Sequence, residues 1–175
     1  METKSTPQDA SKGILGRPLM ISQIAVVCHD LQKTMETYTK LLGWGPWNVY
    51  RHEPPRLHDT EVRGEAVAYT MLGAETHVGD MGFELLQPLE GPSIYKEWLD
   101  THGEGLHHVA VMLHDFGESK ELRRLFADQG MNVLMGGRIG ETIEFYYLDT
   151  EPQLKIILES GSGHAIELVP DYVYP

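Results

Sequence analysis

The sequence predicts an α+β fold in which one βαβββ unit is followed by a second. Three observations predict it. SQIAVVCHDL, from Ser22, and LHHVAVMLHDF, from Leu106, are near-copies: Ile24 aligns with Val109, Ala25 with Ala110, Val26 with Val111, His29 with His114 and Asp30 with Asp115. Each copy runs into an amphipathic segment that stops at a glycine, Gly43 or Gly130. Three strand-like runs follow each segment. Matching strand, cap, helix and glycine stop at one offset of 85 residues (Gln23 to His108) argue for internal duplication.

In the first unit, LMISQIAVVCH alternates as a strand and Asp30 is an N-cap residue. LQKTMETYTKLL is the helix, with Leu31, Met35, Tyr38, Leu41 and Leu42 near helical spacing and Gly43 as its stop. WGPWNVYRHE reads as a strand, and the segment from Pro54 to Gly64 as a Pro- and charge-rich connection. Ala66 to Leu72 and Met81 to Leu86 read as two strands joined by a turn around Gly73 to Asp80. SIYKEWLDTHG is a short helix closed by Gly103.

In the second unit, LHHVAVMLH is the strand, Asp115 the cap and SKELRRLFADQ the helix. MNVLMGG, ETIEFYYLD and LKIILES complete it. The units span residues 19–103 and 104–163. Residues 1–18 are expected to form a disordered tail. Residues 164–175, apolar and aromatic, are expected to pack across the sheet or a partner chain, because a free tail of that composition would be sticky.

Strand phase then sorts the side chains. Ile24, Val26 and Cys28 share the face that the following helix should cover, and Gln23 lies opposite with Ala25 and Val27. In the second copy Val109 and Val111 take the helix-packed face, and His108 lies opposite with Ala110; parity puts the adjacent His107 on the wrong face. The last strand of each unit carries a carboxylate among apolar residues, Glu84 in MGFELLQP and Glu159 in LKIILESG. A buried charge needs a partner. Equivalent units could bring Gln23, Glu84, His108 and Glu159 around one divalent metal ion, one imidazole nitrogen and three oxygen donors with room for substrate. The histidines at 52, 58, 77, 102 and 164 read as loop residues without ligand spacing.

With these residues in view the chain resembles the vicinal oxygen chelate superfamily. SQIAVVCHDLQKTMETYTKLLGW, GFELLQPLEGPS, GEGLHHVAV and YYLDT with LKIILESGSG carry the resemblance, over roughly residues 19 to 163. It is strongest to the methylmalonyl-CoA epimerase and glyoxalase I branches. The resemblance implies paired βαβββ modules forming a curved, cup-shaped mixed sheet, the glyoxalase-like fold. It implies metal ligands on the first and last strands of each module, here Gln23, Glu84, His108 and Glu159, a set similar to that of the eukaryotic-type glyoxalase I. Many epimerase-like relatives have His where this chain has Gln23. A homodimer is implied as well.

The chemistry implied is that of a divalent-metal-dependent isomerase, epimerase or lyase acting through an enolate on a small carbonyl substrate. The ion (Zn, Mn, Co, Ni or Fe) chelates two neighbouring oxygens, and a carboxylate moves a carbon-bound proton. The glyoxalase I pattern assigns the base to Glu159, with Glu84 as its opposite partner. The separate Glu that epimerases carry in a middle strand of the first module has no secure counterpart: Tyr69 takes that position, with Glu65 and Glu61 nearby. Two other readings compete. An extradiol dioxygenase would need a His, His, Glu triad, and Gln23 replaces its first His. A metal-free binding protein of the drug-sequestering kind would need none of the four donors.

Composition narrows the partners. A formal charge of −12 argues against nucleic acid and an anionic membrane surface, but leaves a small anionic substrate possible through local cations such as Arg51, Arg56 or Arg138. The single Cys28 excludes an intramolecular disulfide and, with no signal-peptide pattern, points to the cytoplasm. No run approaches the roughly 20 apolar residues that cross a bilayer.

Overall fold

The computed structural model describes residues 12–163 and 168–175. The elements run β1 (Gln23–Val27), α1 (Leu31–Leu42), β2 (Trp47–His52), β3 (Leu57–Val62), β4 (Glu65–Ala66), β5 (Met71–Val78), β6 (Met81–Pro88), α2 (Ile94–His102), β7 (Gly105–Leu113), α3 (Phe116–Asp128), β8 (Val133–Ile139), β9 (Ile143–Leu148), α4 (Glu151–Leu154), β10 (Ile157–Ser162) and β11 (Tyr172–Tyr174). They form one eleven-stranded mixed sheet in the order β11-β2-β5-β6-β1-β7-β10-β9-β8-β3-β4. Within it β1-β6-β5-β2 and β7-β10-β9-β8 repeat the same pattern, with parallel β1/β6 and β7/β10 pairs. The units meet through the antiparallel β1/β7 pair at the centre.

Caps set the helix starts. Asp30 accepts from the Lys33 N–H at 3.0 Å, and Asp115 from the Glu118 N–H at 2.8 Å, so the repeated aspartate does the same work in both copies. Gly43 stops α1 in the left-handed conformation, at φ 71°, and donates its N–H to the Thr39 carbonyl. The helix-facing side of β1 packs as expected: Val26 and Cys28 join Leu31, Met35, Trp47 and Phe83 in one cluster. Leu41 and Leu42, at the last turn of α1, are exposed instead. Behind the second unit, Val111, Leu113, Leu122, Phe126 and Leu158 form the equivalent layer. On the other face of the sheet α2 supplies Ile94 and Tyr95 to a third cluster with Tyr69, Met135 and Tyr147.

Both outer edges are covered by segments from the opposite half of the chain. The β3–β4 hairpin, from the first half, pairs with β8, and β11, from the C-terminus, pairs with β2. The edges left free are the two-residue β4 and the three-residue β11, short strands that template association poorly. Of the expected disordered tail, residues 1–11 lie outside the described residues, while Ile14 and Leu15 pack against the α3 layer. Of the C-terminal extension, residues 164–167 lie outside them too.

The strand expected over residues 66–72, with a turn at 73–80, lies elsewhere. β4 is only two residues long, β5 runs from Met71 to Val78, and the turn is confined to Gly79 and Asp80. Gly73 is a strand residue without a positive φ. A Cβ there would lie 3.3 Å from the His52 ring, so glycine marks a close side-chain approach. The expected Pro54–Gly64 connection likewise contains β3, and α4 was not anticipated. No helix among the described residues is long and apolar enough to cross a membrane.

Candidate metal centre

The registers of the central strands bring the four expected donors to one place on the concave face. Across β6, β1 and β7, Glu84 is opposite Ala25, and Ala25 is opposite His108. Across β1, β7 and β10, Gln23 is opposite Ala110, and Ala110 is opposite Glu159. Each row therefore has a donor at both ends and a fully buried alanine between them. A methyl group takes up little of the space above itself, which leaves room between the flanking donors.

The resulting geometry is tight. His108 Nε2 lies 3.0 Å from Glu159 Oε2 and 3.6 Å from Glu84 Oε2. One donor atom from each of these residues lies within 4.8 Å of the others, and all three residues are buried. The Gln23 side chain lies at the same spot, close enough to Glu84 to oppose the rise of its pKa. Yet His108 Nε2 lacks a partner of hydrogen-bond geometry despite the 3.0 Å approach. One imidazole nitrogen with carboxylate and amide oxygens is a donor set that suits a divalent ion.

A β-bulge aims the imidazole. Pairing steps from Ala25–His108 to Val26–Leu106, so His107 is the extra residue and escapes the parity expected of it. Its ring packs against Tyr95 and Trp98, and its Nδ1 meets His108 Nδ1 at 2.9 Å. Tyr147 lies edge-on to His108, with ring centres 4.9 Å apart. This outer contact fixes the ring and leaves Nε2 for the centre.

The electrostatics follow from burial and crowding. Burial alone would lower the His108 pKa, but the Glu159 and Glu84 carboxylates outweigh it and hold the ring at about 9. Glu84 is raised by burial, with Glu159 adding to the rise. In the absence of a cation the histidine proton is the counter-charge of the cluster.

A cavity of about 180 Å³ opens onto this cluster. Its wall holds Gln23, Glu84, Glu159 and Tyr147, the apolar side chains Met71, Met112, Ile139 and Phe145, and two residues that the sequence reading missed, Glu75 and His52. Glu75 sits in β5 directly opposite Glu84, on the stretch read as a turn. Burial, then the charges of Glu84 and Glu159, push its carboxyl up to about 8. His52 ends β2 and is 2% exposed, with no hydrogen-bond partner at Nδ1. Burial, then the Arg56 charge, bring it down to about 4, so it is a neutral wall residue and not a loop histidine. Larger grooves of about 450 and 510 Å³ run past Arg51 and Arg56 and past Arg123, but both are open to solvent and hold no converging donors.

The other expected candidates stand apart. Tyr69 is buried and donates to the Gly136 carbonyl at 2.9 Å, and burial raises its hydroxyl far above the usual range. Glu65 is exposed on the two-residue β4, and Glu61 pairs with Arg123 at 2.6 Å. Arg51 pairs with Glu53, Arg56 with Asp171, and Arg138 lies over the Phe116 ring. His164 lies outside the described residues.

Known structures share this architecture. A hypothetical protein from Bacillus halodurans C-125 matches with a TM-score of 0.59 at 15% identity, over 83% of this chain and 94% of that one. A methylmalonyl-CoA epimerase from Mycobacterium tuberculosis matches at 0.53 and 16%, over 83% and 89%. A Streptomyces coelicolor methylmalonyl-CoA epimerase variant, in complex with 2-nitronate-propionyl-CoA, matches at 0.53 and 26%, over 83% and 97%. Among curated proteins none matches the chain in sequence. The sequence model of one family does match, over residues 22–147, a span that includes β1, both donor rows as far as Ala110, and the bulge that orients His108. The chain belongs to the Glyoxalase/Bleomycin resistance protein/Dioxygenase superfamily.

Proposed function

We propose that this protein is a divalent-metal-dependent isomerase, epimerase or lyase that moves a proton on carbon beside a carbonyl group, through an enolate. The observation that carries the reading is the buried Glu84–His108–Glu159 group, whose donor atoms lie within 4.8 Å of one another in a cavity wall. Gln23, Glu84, His108 and Glu159 would hold the ion. When bound, it would supply a Lewis acid that polarises the substrate carbonyl and stabilises enolate charge.

The chain's own residues then divide the work. Glu159, on β10 in the second unit, takes the proton from carbon. Glu75, on β5 in the first unit, is a carboxyl outside the donor group that returns or accepts one from the other side. Its elevated pKa keeps it competent in both directions near neutral pH. His107 positions His108, and Met71, Met112, Ile139 and Phe145 keep water from the reacting carbon. Likeness to methylmalonyl-CoA epimerases at 26–27% identity supports proton-transfer chemistry over oxygen chemistry, and Gln23 in place of a second nitrogen donor supports it further. The homodimer implied by the resemblance belongs to the same reading.

Elemental analysis of the purified protein should find about one divalent ion per chain. The loaded protein should then exchange deuterium from solvent into a thioester or hemithioacetal substrate, and Glu159→Gln should abolish the exchange while keeping the fold. Absence of stoichiometric metal, or full exchange by Glu159→Gln, would refute the proposal.

A further inference from the structure

We infer that His52 is a specificity-determining residue, whose imidazole hydrogen-bonds a hydroxyl group that the substrate carries at the end remote from the reacting carbonyl. The inference rests on the reading above, in which this cavity holds the substrate, and adds a second point of recognition to it. Strand register separates the two points. His52 in β2 is opposite Met71 in β5, and Met71 lies four residues before Glu75, which is opposite Glu84. That is about 13 Å along the sheet. One cavity nevertheless borders both His52 and the donor residues, and much of its remaining wall is apolar, with Met71, Ile139, Ile143 and Phe145.

Packing explains the ring of His52 but not its nitrogen. The residue is 2% exposed, stacked on Tyr50 with ring centres 5.7 Å apart, and a Cβ at Gly73 would come within 3.3 Å of its Nε2. A phenyl ring would meet these contacts as well. Nδ1 is buried and has no hydrogen-bond partner among the described residues. Buried polar atoms are paired in nearly all native proteins, and one left unpaired destabilises the fold. The nitrogen thus calls for a partner that these residues do not supply, and the cavity beside the ring is where a bound molecule can bring one. Burial and the Arg56 charge keep the ring neutral, so it offers one N–H donor and one bare nitrogen acceptor. A hydroxyl both donates and accepts, so it pairs with Nδ1 in either tautomer, whereas a carbonyl answers only one. The substrate class that fits is a small carbonyl compound with a slender apolar chain ending in a hydroxyl.

The experiment uses full-length protein loaded with Co(II) and reads binding by calorimetry. The probes are 1-hydroxyalkan-2-ones of about six to ten carbons, a range chosen to bracket the span given by register, each with and without a hydroxyl on its terminal carbon. At the matching length the terminal hydroxyl should tighten binding to the wild type by about fivefold or more. His52→Phe, which keeps a flat ring and removes both nitrogens, should bring each pair of probes to within about twofold of each other. Should that variant not fold, His52→Leu serves in its place. Equal binding of every pair by the wild type, binding of none of the probes, or a preference that survives loss of the imidazole overturns the inference. Failure to take up Co(II), with the hydroxyl preference still present, overturns the metal reading and leaves the role of His52 standing.

Discussion

Glu75 and Glu84 face each other directly across the antiparallel β5/β6 pair, two carboxylates on one wall of the cavity. Opposed like charges destabilise a strand pair unless one is neutralised, and here the raised Glu75 pKa of about 8 does so. The sign is fixed by linkage. In the unfolded chain Glu75 loses its proton near 4.5, but in the fold only near 8, so folding binds a proton between those values. Its contribution to stability is complete below about 4.5 and is lost as pH rises through 8. Metal-free protein should therefore become less stable from pH 5 to pH 8, by at most about 1.4 kcal/mol per pH unit for one proton. Urea denaturation across that range checks it: Glu75→Gln should flatten the slope, and an unchanged slope would place the buried proton elsewhere.

His108 titrates in the same direction at higher pH. Its ordinary value of 6.5 rises to about 9 in the metal-free fold, against the effect of burial, because Glu159 and Glu84 crowd it. A cation at the centre replaces that proton. Metal uptake at pH 7 should release about one proton per ion from His108, and affinity should rise up to about tenfold per pH unit as pH increases toward 9. Competition with a chelator at pH 6, 7 and 8, with proton release followed by indicator dye, reads both quantities. Affinity independent of pH would contradict this geometry.

The repeat and the shared face of Gln23, Glu84, His108 and Glu159 were legible because they are local: strand parity, an aspartate cap and a glycine stop each act within a few residues. Glu75 was not legible, for a reason that Gly73 explains. A glycine followed by polar residues reads as a turn, but the His52 ring comes from another strand to occupy the space above it. The strand boundary thus depended on a contact with β2 that no window around residue 73 contains. His107 was misread in the same way, since the bulge that turns it inward exists only in the pairing of β7 with β1. The placement of β3 on β8 also required the tertiary fold, because it joins residues from different halves of the chain.

Tyr69 is the residue whose role the sequence made ambiguous, and its environment gives a clean expectation. The hydroxyl donates to the Gly136 carbonyl inside the sheet, and a Cβ at Gly137 would lie 3.2 Å from its oxygen. Tyr69→Phe should lower stability by about 0.5–1.5 kcal/mol, the usual net value of one hydrogen bond. Metal content and the rate of proton exchange should be unchanged. A large fall in exchange rate at full metal occupancy would restore the tyrosine as a base.

Ala110 tests the convergence itself. It lies between Gln23 and Glu159 in register, fully buried, and shares its face with His108 two residues earlier. A valine there would put two methyl groups into the space over which the donors meet. Overpacking of this kind costs about 1–3 kcal/mol, but the more telling effect is chemical. Ala110→Val should reduce bound metal well below one per chain even where the fold persists by circular dichroism. Ala110→Gly, which adds nothing to the cavity, should keep the metal at a stability cost of about 1 kcal/mol. If valine is accepted with full metal occupancy, the donors do not meet above this alanine, and the four-residue centre would have to be abandoned.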